Sequence, residues 1–310
     1  MIRSLDLARA WDVPKRYINV SLFDGREGGV KSNKLLSFLT DEAKISFQTQ
    51  ATVGYRANDA TITITGLTRE KMGFLATSYT AWAGRSILNR IILDAGYEGN
   101  HSILFDGEVV EAIPNLDNAD FSISLKCRSL YFALTGQIMS VSKKGETSVK
   151  EIAQEIAKKM SDDKQKITLI YYPKEDYKIT DYEMPDASPY DQMRNLSKQT
   201  GLDIYVENGR MYVKEQGTSA YGLKTLIIDS SNIIGSPMPD NLGCRVQIRM
   251  NCNLRCGMPA KITSSRFEQL NNKDLFVSEY HHVGETKGKK WFTEVVLIRN
   301  QLIVGLKSGG

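Results

Sequence analysis

The chain has 310 residues, 41% of them hydrophobic and 25% charged, which favours about two domains with well-formed cores and excludes a disordered or low-complexity protein. Forty basic against 36 acidic residues leave a net charge of +4, too small an excess to make a nucleic-acid surface by itself. No apolar run reaches the roughly 18 residues that span a bilayer, and the amino terminus, broken by Arg3, Asp6, Arg9 and Asp12, lacks a signal-peptide core, so synthesis in the cytoplasm is expected.

The section up to about Leu134 reads mostly as β structure. Tyr17, Ile18, Val20, Leu22 and Phe23 form a strand that ends at Asp24-Gly25, with a turn at Gly28-Gly29. Ile45, Phe47, Thr49 and Ala51 alternate with polar residues, the period of a half-buried strand, and Ile62 and Ile64 continue it. Thr68 is placed to cap a short helix, with Leu67 and Met72 spaced as a hydrophobic staple. A strand then ends at Leu93-Asp94-Ala95-Gly96-Tyr97, and Gly99-Asn100 turns the chain into His101 to Val109. Asp106-Gly107 inside that run predicts a bulge or bend. Phe121, Ile123 and Leu125 alternate as a further strand.

Composition shifts near Ser140. Val149, Ile152, Ala153, Ile156, Ala157 and Met160 share one helix face, and Ser148 with Glu151 fits a capping box. A second helix is predicted from Ser188, with Pro189 in its first position and Gly201 as its stop. Ile167, Leu169 and Tyr171 suggest a strand between the two helices, and LDIYVENGRMYVKE reads as a hairpin around Asn208-Gly209. From Thr225 onward β patterning returns in Leu226 to Ile228, Asn232 to Pro237, CRVQIRM, AKITSS, LFVSEYHHV and WFTEVVLI. GETKGKK turns between the last two, and LKSGG is a loose tail. The expected fold class is α+β, predominantly β. Its parts are a first β domain over 1–140 with one short helix, a small α+β insert over 141–222, and a second β domain over 223–310, open to completion by strands from elsewhere in the chain.

The chemistry-bearing residues form no constellation. His101, His281 and His282 are the only histidines, and the last two, adjacent on a strand, point to opposite faces and cannot readily share one metal. Cys244, Cys252 and Cys256 cluster without the paired spacing of a zinc knuckle, so these and Cys127 are read as reduced thiols in or beside strands. Glu108 with Glu111, or Asp117 with Asp120, resembles a glycosidase pair only in composition. The segment Gly25 to Gly29 lacks the Lys-Ser/Thr ending of a phosphate loop. Trp82, Trp291 and Tyr171-Tyr172 are read as packing residues, because no basic stripe runs between them. The basic runs Lys143-Lys144, Lys158-Lys159 and Lys287 to Lys290 are read as solvated turn and helix-end charge. No catalytic, cofactor-binding or metal residue is assigned, and no cofactor is expected.

Three collinear segments carry a family resemblance. They are ATITITGL followed by DAGY and LFDGEVVEA; the module from Ser148 to Tyr212 closing on LSKQTGLDIYVENGRMYV; and IIGSPMP, NLRCGMPAKITSS and FVSEYHHVGETKGKKWFTEVV. In order and spacing the chain resembles the baseplate hub proteins of contractile-tailed bacteriophages of the Mu-like and T-even kinds. The resemblance covers most of the chain, although it is shorter than many such hubs. Glu285 stands where the family's turn after His282 and Gly284 has aspartate.

The resemblance implies a structural, non-enzymatic tail protein with two tail-tube-like barrels per chain, and a homotrimer forming a pseudo-sixfold ring. Such a ring joins a sixfold tail tube to a threefold central spike and lines the channel for DNA ejection. The implied partners are further copies of the chain, the central tail spike, the tail tube or tube-initiator protein, the tape-measure protein and baseplate wedge proteins. DNA is met only in transit, and no membrane insertion is expected. The implied location is the baseplate of the virion tail, assembled in the host cytoplasm. Two alternatives stay open: a tail module that interacts with cell wall or carbohydrate, suggested by the α+β insert, and the hub of a related contractile injection system.

Overall fold

The structure is a computed structural model, and it describes residues 14–23, 34–54, 57–78, 89–115, 120–131, 138–161, 166–263 and 268–300. The amino-terminal stretch, the turns at Asp24-Gly25 and Gly28-Gly29, Trp82, Asp117, Ser264-Ser265 and the LKSGG tail lie outside the described residues.

Seven strands and one helix make the first β region: β1 (Arg16–Phe23), β2 (Lys34–Leu39), β3 (Lys44–Thr52), β4 (Asp59–Thr65), α1 (Arg69–Ser78), β5 (Arg90–Tyr97), β6 (Asn100–Asn115) and β7 (Ser122–Arg128). In β3 and β4 the alternation is the one expected. Ile45, Phe47, Thr49, Ala51, Ala60, Ile62 and Ile64 are buried, and the residues between them face out. The Thr68 hydroxyl accepts the amide N–H of Lys71 at 3.3 Å, and both staple residues, Leu67 and Met72, are buried. The β5–β6 turn is Glu98-Gly99, with Asn100 already paired to Tyr97. The bulge expected at Asp106-Gly107 is instead a pair of register slips on either side of it, opposite Leu93/Asp94 and at Val109/Glu111. Gly107 answers a different need: a Cβ there would lie 2.7 Å from the Arg128 carbonyl oxygen.

The middle region folds as β8 (Met139–Ser148), α2 (Val149–Met160), β9 (Thr168–Tyr171), β10 (Lys178–Ala187), α3 (Pro189–Thr200), β11 (Leu202–Glu207) and β12 (Arg210–Glu215). All six residues of the predicted α2 face are buried. Ser148 caps by accepting the Glu151 amide, but the Glu151 carboxylate turns to Lys143 at 3.2 Å instead of closing the box. α3 starts on Ser188 with Pro189 behind it and stops at Gly201 in the left-handed conformation, φ 68°. Because the Ser188 hydroxyl serves an otherwise orphaned amide, Ser188→Ala is expected to lower stability by about 1 kcal/mol in urea denaturation. Asn208 and Gly209, with φ 47° and 74°, make the tight turn that the hairpin reading required. β8 and β10 were not legible: they pair as a two-stranded ribbon, and Tyr182 is the only buried residue of β10. Positive φ at Asp181 and Asp186 falls at its two register irregularities.

The remaining strands are β13 (Leu226–Ile228), β14 (Ile233–Pro239), β15 (Gly243–Arg249), β16 (Pro259–Ile262), β17 (Leu275–Glu285) and β18 (Trp291–Arg299). They are continuous with the first region. One sheet runs β14-β15-β18-β17-β3-β4-β7-β6-β5-β1-β2, with β13 and β16 attached beside β17. The junction is the antiparallel β3–β17 ladder from Ser46↔Glu285 to Thr52↔Glu279. Gly284 permits it, since a Cβ there would sit 2.4 Å from the Phe47 ring.

Three buried clusters result. The first joins β1–β7 and α1 with Met250, Cys252 and Trp291. The second lies under α2 and α3. The third fills the carboxy-terminal strands and takes in Ala51, Tyr205 and Tyr212. The fold is predominantly β with three helices among the described residues.

Candidate assembly surface

The outward half of the period-two pattern forms one largely polar face, broken by Val283, Phe292 and Val296, that crosses the β3–β17 junction. Following the register, one row runs Glu111, Lys126, Thr61, Gln48, Val283, Phe292, Arg249; the next runs Arg128, Asp59, Gln50, His281, Glu294, Gln247. Thr52, Glu279, Val296 and Arg245 continue a third. Hydroxyl and amide side chains dominate its centre, and their hydrophobic alternates lie on the buried side of the same strands.

Most charges on this face are matched across strands, Arg249 excepted. Lys126 meets Glu111 at 2.7 Å, Arg128 meets Asp59 at 2.9 Å and Arg245 meets Glu294 at 2.9 Å. Glu279 receives both the Gln50 amide at 2.9 Å and the His281 ring at 2.6 Å. Such pairs add little stability in water. What they change is the field, because a cation already beside a carboxylate offers less to a passing polyanion.

The residues whose side chains could carry chemistry are scattered over the fold. His281 faces out beside Glu279, whereas His282 is 1% exposed and bonded through Nδ1 to Thr293 Oγ1 at 2.8 Å, so the two do face opposite ways. His101 stacks on Tyr17 and bonds Asp94. All four cysteines are free and buried. Burial raises the Cys127, Cys252 and Cys256 thiols above the ordinary range and pushes Cys244 up to about 11, away from nucleophilic thiolate character. Among the described residues no group of three His, Cys, Asp or Glu side chains could hold a metal ion. Glu111 is taken up by Lys126, and Asp120 is exposed.

Burial of His282 lowers its pKa to about 3 from 6.5. The unfolded chain therefore takes up a proton that the folded one refuses, and this group's contribution, full above pH 6.5, falls by about 1.4 kcal/mol per pH unit as pH drops toward 3. His282→Asn is expected to flatten the acid limb of a stability–pH curve by that slope, read as the difference from the parent chain. An unchanged slope would show that His282 titrates normally.

Sequence reasoning missed a buried polar seam between the β11–β12 hairpin and the segment 254–258. Tyr205 Oη donates to the Cys256 carbonyl at 3.0 Å, Cys256 N–H donates to Glu207 at 3.3 Å, and the Tyr280 hydroxyl donates to the same carboxyl. Burial raises the Glu207 pKa; the Tyr280 bond, Arg255, the Cys256 amide and Arg210 pull it down by less. Its linkage is opposite to that of His282, with stability lost as pH rises above about 4.5. No spacing signal in the sequence links positions 207, 256 and 280.

A family model described as baseplate hub gp41 matches residues 29–296. No curated protein matches. Among solved structures, the chain is similar to a tail protein from Neisseria meningitidis MC58, with TM-score 0.60, 12% identity and coverage of 91% of this chain and 97% of that one. It is similar to the 43 kDa tail protein of prophage MuSo2 from Shewanella oneidensis, with TM-score 0.57, 9% identity and coverage of 91% and 98%. The Escherichia coli c3393 protein, a type VI secretion system component described as structurally similar to T4 tail proteins gp27 and gp5, aligns at TM-score 0.56 and 9% identity over 84% and 74%. At these identities the structures speak for the fold, while the family match spans most of the chain: it belongs to the baseplate hub gp41 family.

Proposed function

We propose that this chain is the structural hub of a contractile-tail baseplate, acting without catalysis as a homotrimer. Its three regions, 1–140, 141–222 and 223–310, give each copy two tube-like β units and an insert, so three copies make a pseudo-sixfold ring. That ring joins the sixfold tail tube to the threefold spike. The carrying observation is the single polar face running across the β3–β17 junction. In the ring it lines the channel, where hydroxyl, amide and ion-paired side chains let DNA and the tape-measure protein pass without sticking. The remaining partners in this reading are the tube or tube-initiator protein and the baseplate wedge proteins, and assembly takes place in the host cytoplasm. A contractile injection system is the second reading, favoured by the similarity to a type VI secretion component.

Light scattering tests the stoichiometry. The purified chain, alone or mixed with its spike, is expected at three times 34.8 kDa per hub. A monomer under both conditions contradicts the hub reading.

A further inference from the structure

The seam between the first β region and the insert opens into a cleft of about 260 Å³ lined by Ile103, Asp106, Asn208, Arg210, Tyr212 and Arg255. The hairpin tip meets β6 there, through an Asn208 amide bond to the Ile103 carbonyl at 3.5 Å. Two guanidinium groups come to the cleft from separate elements, the exposed Arg210 of β12 and the partly exposed Arg255 of the loop after β15. Among the described residues neither has a carboxylate within ion-pair distance. Asp106 is held in a fork by Arg90 at 2.8 and 2.6 Å, and Glu207, behind the cleft, is bonded to Tyr280 and the Cys256 amide and feels Arg255 and Arg210 only from beyond ion-pair distance, while Arg210 also interacts with the Tyr212 hydroxyl. Arg255 spends one nitrogen on the Leu254 carbonyl at 2.6 Å and the Cys252 carbonyl at 3.4 Å, which fixes the group while leaving the donors of its other nitrogens available.

We infer that this cleft receives a carboxylate side chain from an acidic-apolar segment of a partner protein. A planar guanidinium pair matches a carboxylate better than any other common protein group. Tyr212, itself stacked between Tyr172 and Tyr205, gives an aromatic wall, and Ile103, 42% exposed, gives an apolar rim beside the charge. The volume suits one side chain and its neighbour, and is too small for a nucleic-acid duplex. This site goes beyond the hub reading and does not depend on the trimer.

The test is calorimetric titration of the full chain with acetyl-Leu-Glu-Leu-Glu-Leu-amide, its glutamine counterpart, inorganic phosphate and an oligothymidylate. The glutamate peptide is expected to bind, the glutamine peptide at least tenfold more weakly. Arg210→Gln, at an exposed position where folding is not at stake, is expected to weaken the glutamate peptide about tenfold, and Arg210→Gln with Arg255→Gln to abolish it. No binding of the glutamate peptide, equal binding of both peptides, or affinity unmoved by Arg210→Gln would overturn the inference. Tighter Arg210-dependent binding of the oligothymidylate would overturn it in favour of a nucleic-acid site, and of phosphate alone in favour of a simple anion site.

Discussion

Lys214→Ala is expected to destabilise the protein by about 3–5 kcal/mol, the cost of breaking a buried ion pair from one side. The Lys214 side chain is fully buried, yet its ammonium is completely served: Asp203 at 2.6 Å, the Glu215 carbonyl at 3.1 Å and the Thr218 carbonyl at 2.9 Å. The ammonium also lies over the Phe276 ring at 4.8 Å. Removing it leaves a mostly buried carboxylate and two carbonyls without their donor, and opens a void beside Gly257. Lys214→Met should refill the space and recover only part of the loss. Urea denaturation followed by circular dichroism reads both variants against the parent, and a parent-like midpoint for Lys214→Ala would show that the pair is dispensable. By contrast Lys178→Ala, from a pair with Glu146 in which both side chains are about 60% exposed, should leave the midpoint unmoved.

The second large effect is expected at the sheet junction. Phe47→Ala should cost about 3–5 kcal/mol, since it empties the contact between β3 and β17 where the ring lies against Gly284 and edge-on to Trp291 at 5.9 Å. Gly284→Ala should overpack the same spot and cost about 1–3 kcal/mol. The two effects share one volume, so they should not add: in the Phe47→Ala background the extra methyl keeps only its 2.9 Å contact with the Trp291 ring, and its cost should shrink to a fraction of that in the parent. A double variant as destabilised as the sum of the singles would place Phe47 and Gly284 apart and contradict the junction.

Much of this fold was legible because local chemistry and tertiary burial agree. Ser148, Ser188 and Gly201 begin and end helices where their backbone chemistry predicts. Asn208-Gly209 turns the hairpin, and the alternation in β3 and β4 names their buried side residue by residue. The β8–β10 ribbon was invisible because it is largely solvated and pairs residues about 30 to 48 positions apart, so no hydrophobic period runs past Met139 and Val141 in β8 and none runs through β10. The β3–β17 junction was equally hidden, since period-two patterning fixes which face a residue takes and says nothing about which strand lies beside it. The polar face stood in the sequence all along, as the threonines, serines and glutamines between the apolar residues of SFQTQ and TITIT. Only the register shows that they join across both regions. Glu207, Arg210 and Arg255 had no sequence signal at all, because their roles come from convergence of the hairpin with the loop after β15, whereas Lys214 meets Asp203 as its direct partner in the hairpin register.

The hub reading stands on a ring of three copies with the β3–β17 face toward its axis. Cryo-electron microscopy of the assembled hub decides it. Threefold symmetry is expected, with Gln48, Gln50, Thr61 and His281 lining the channel. A ring of any other copy number, or one that turns this face outward or buries it against the spike, would refute it.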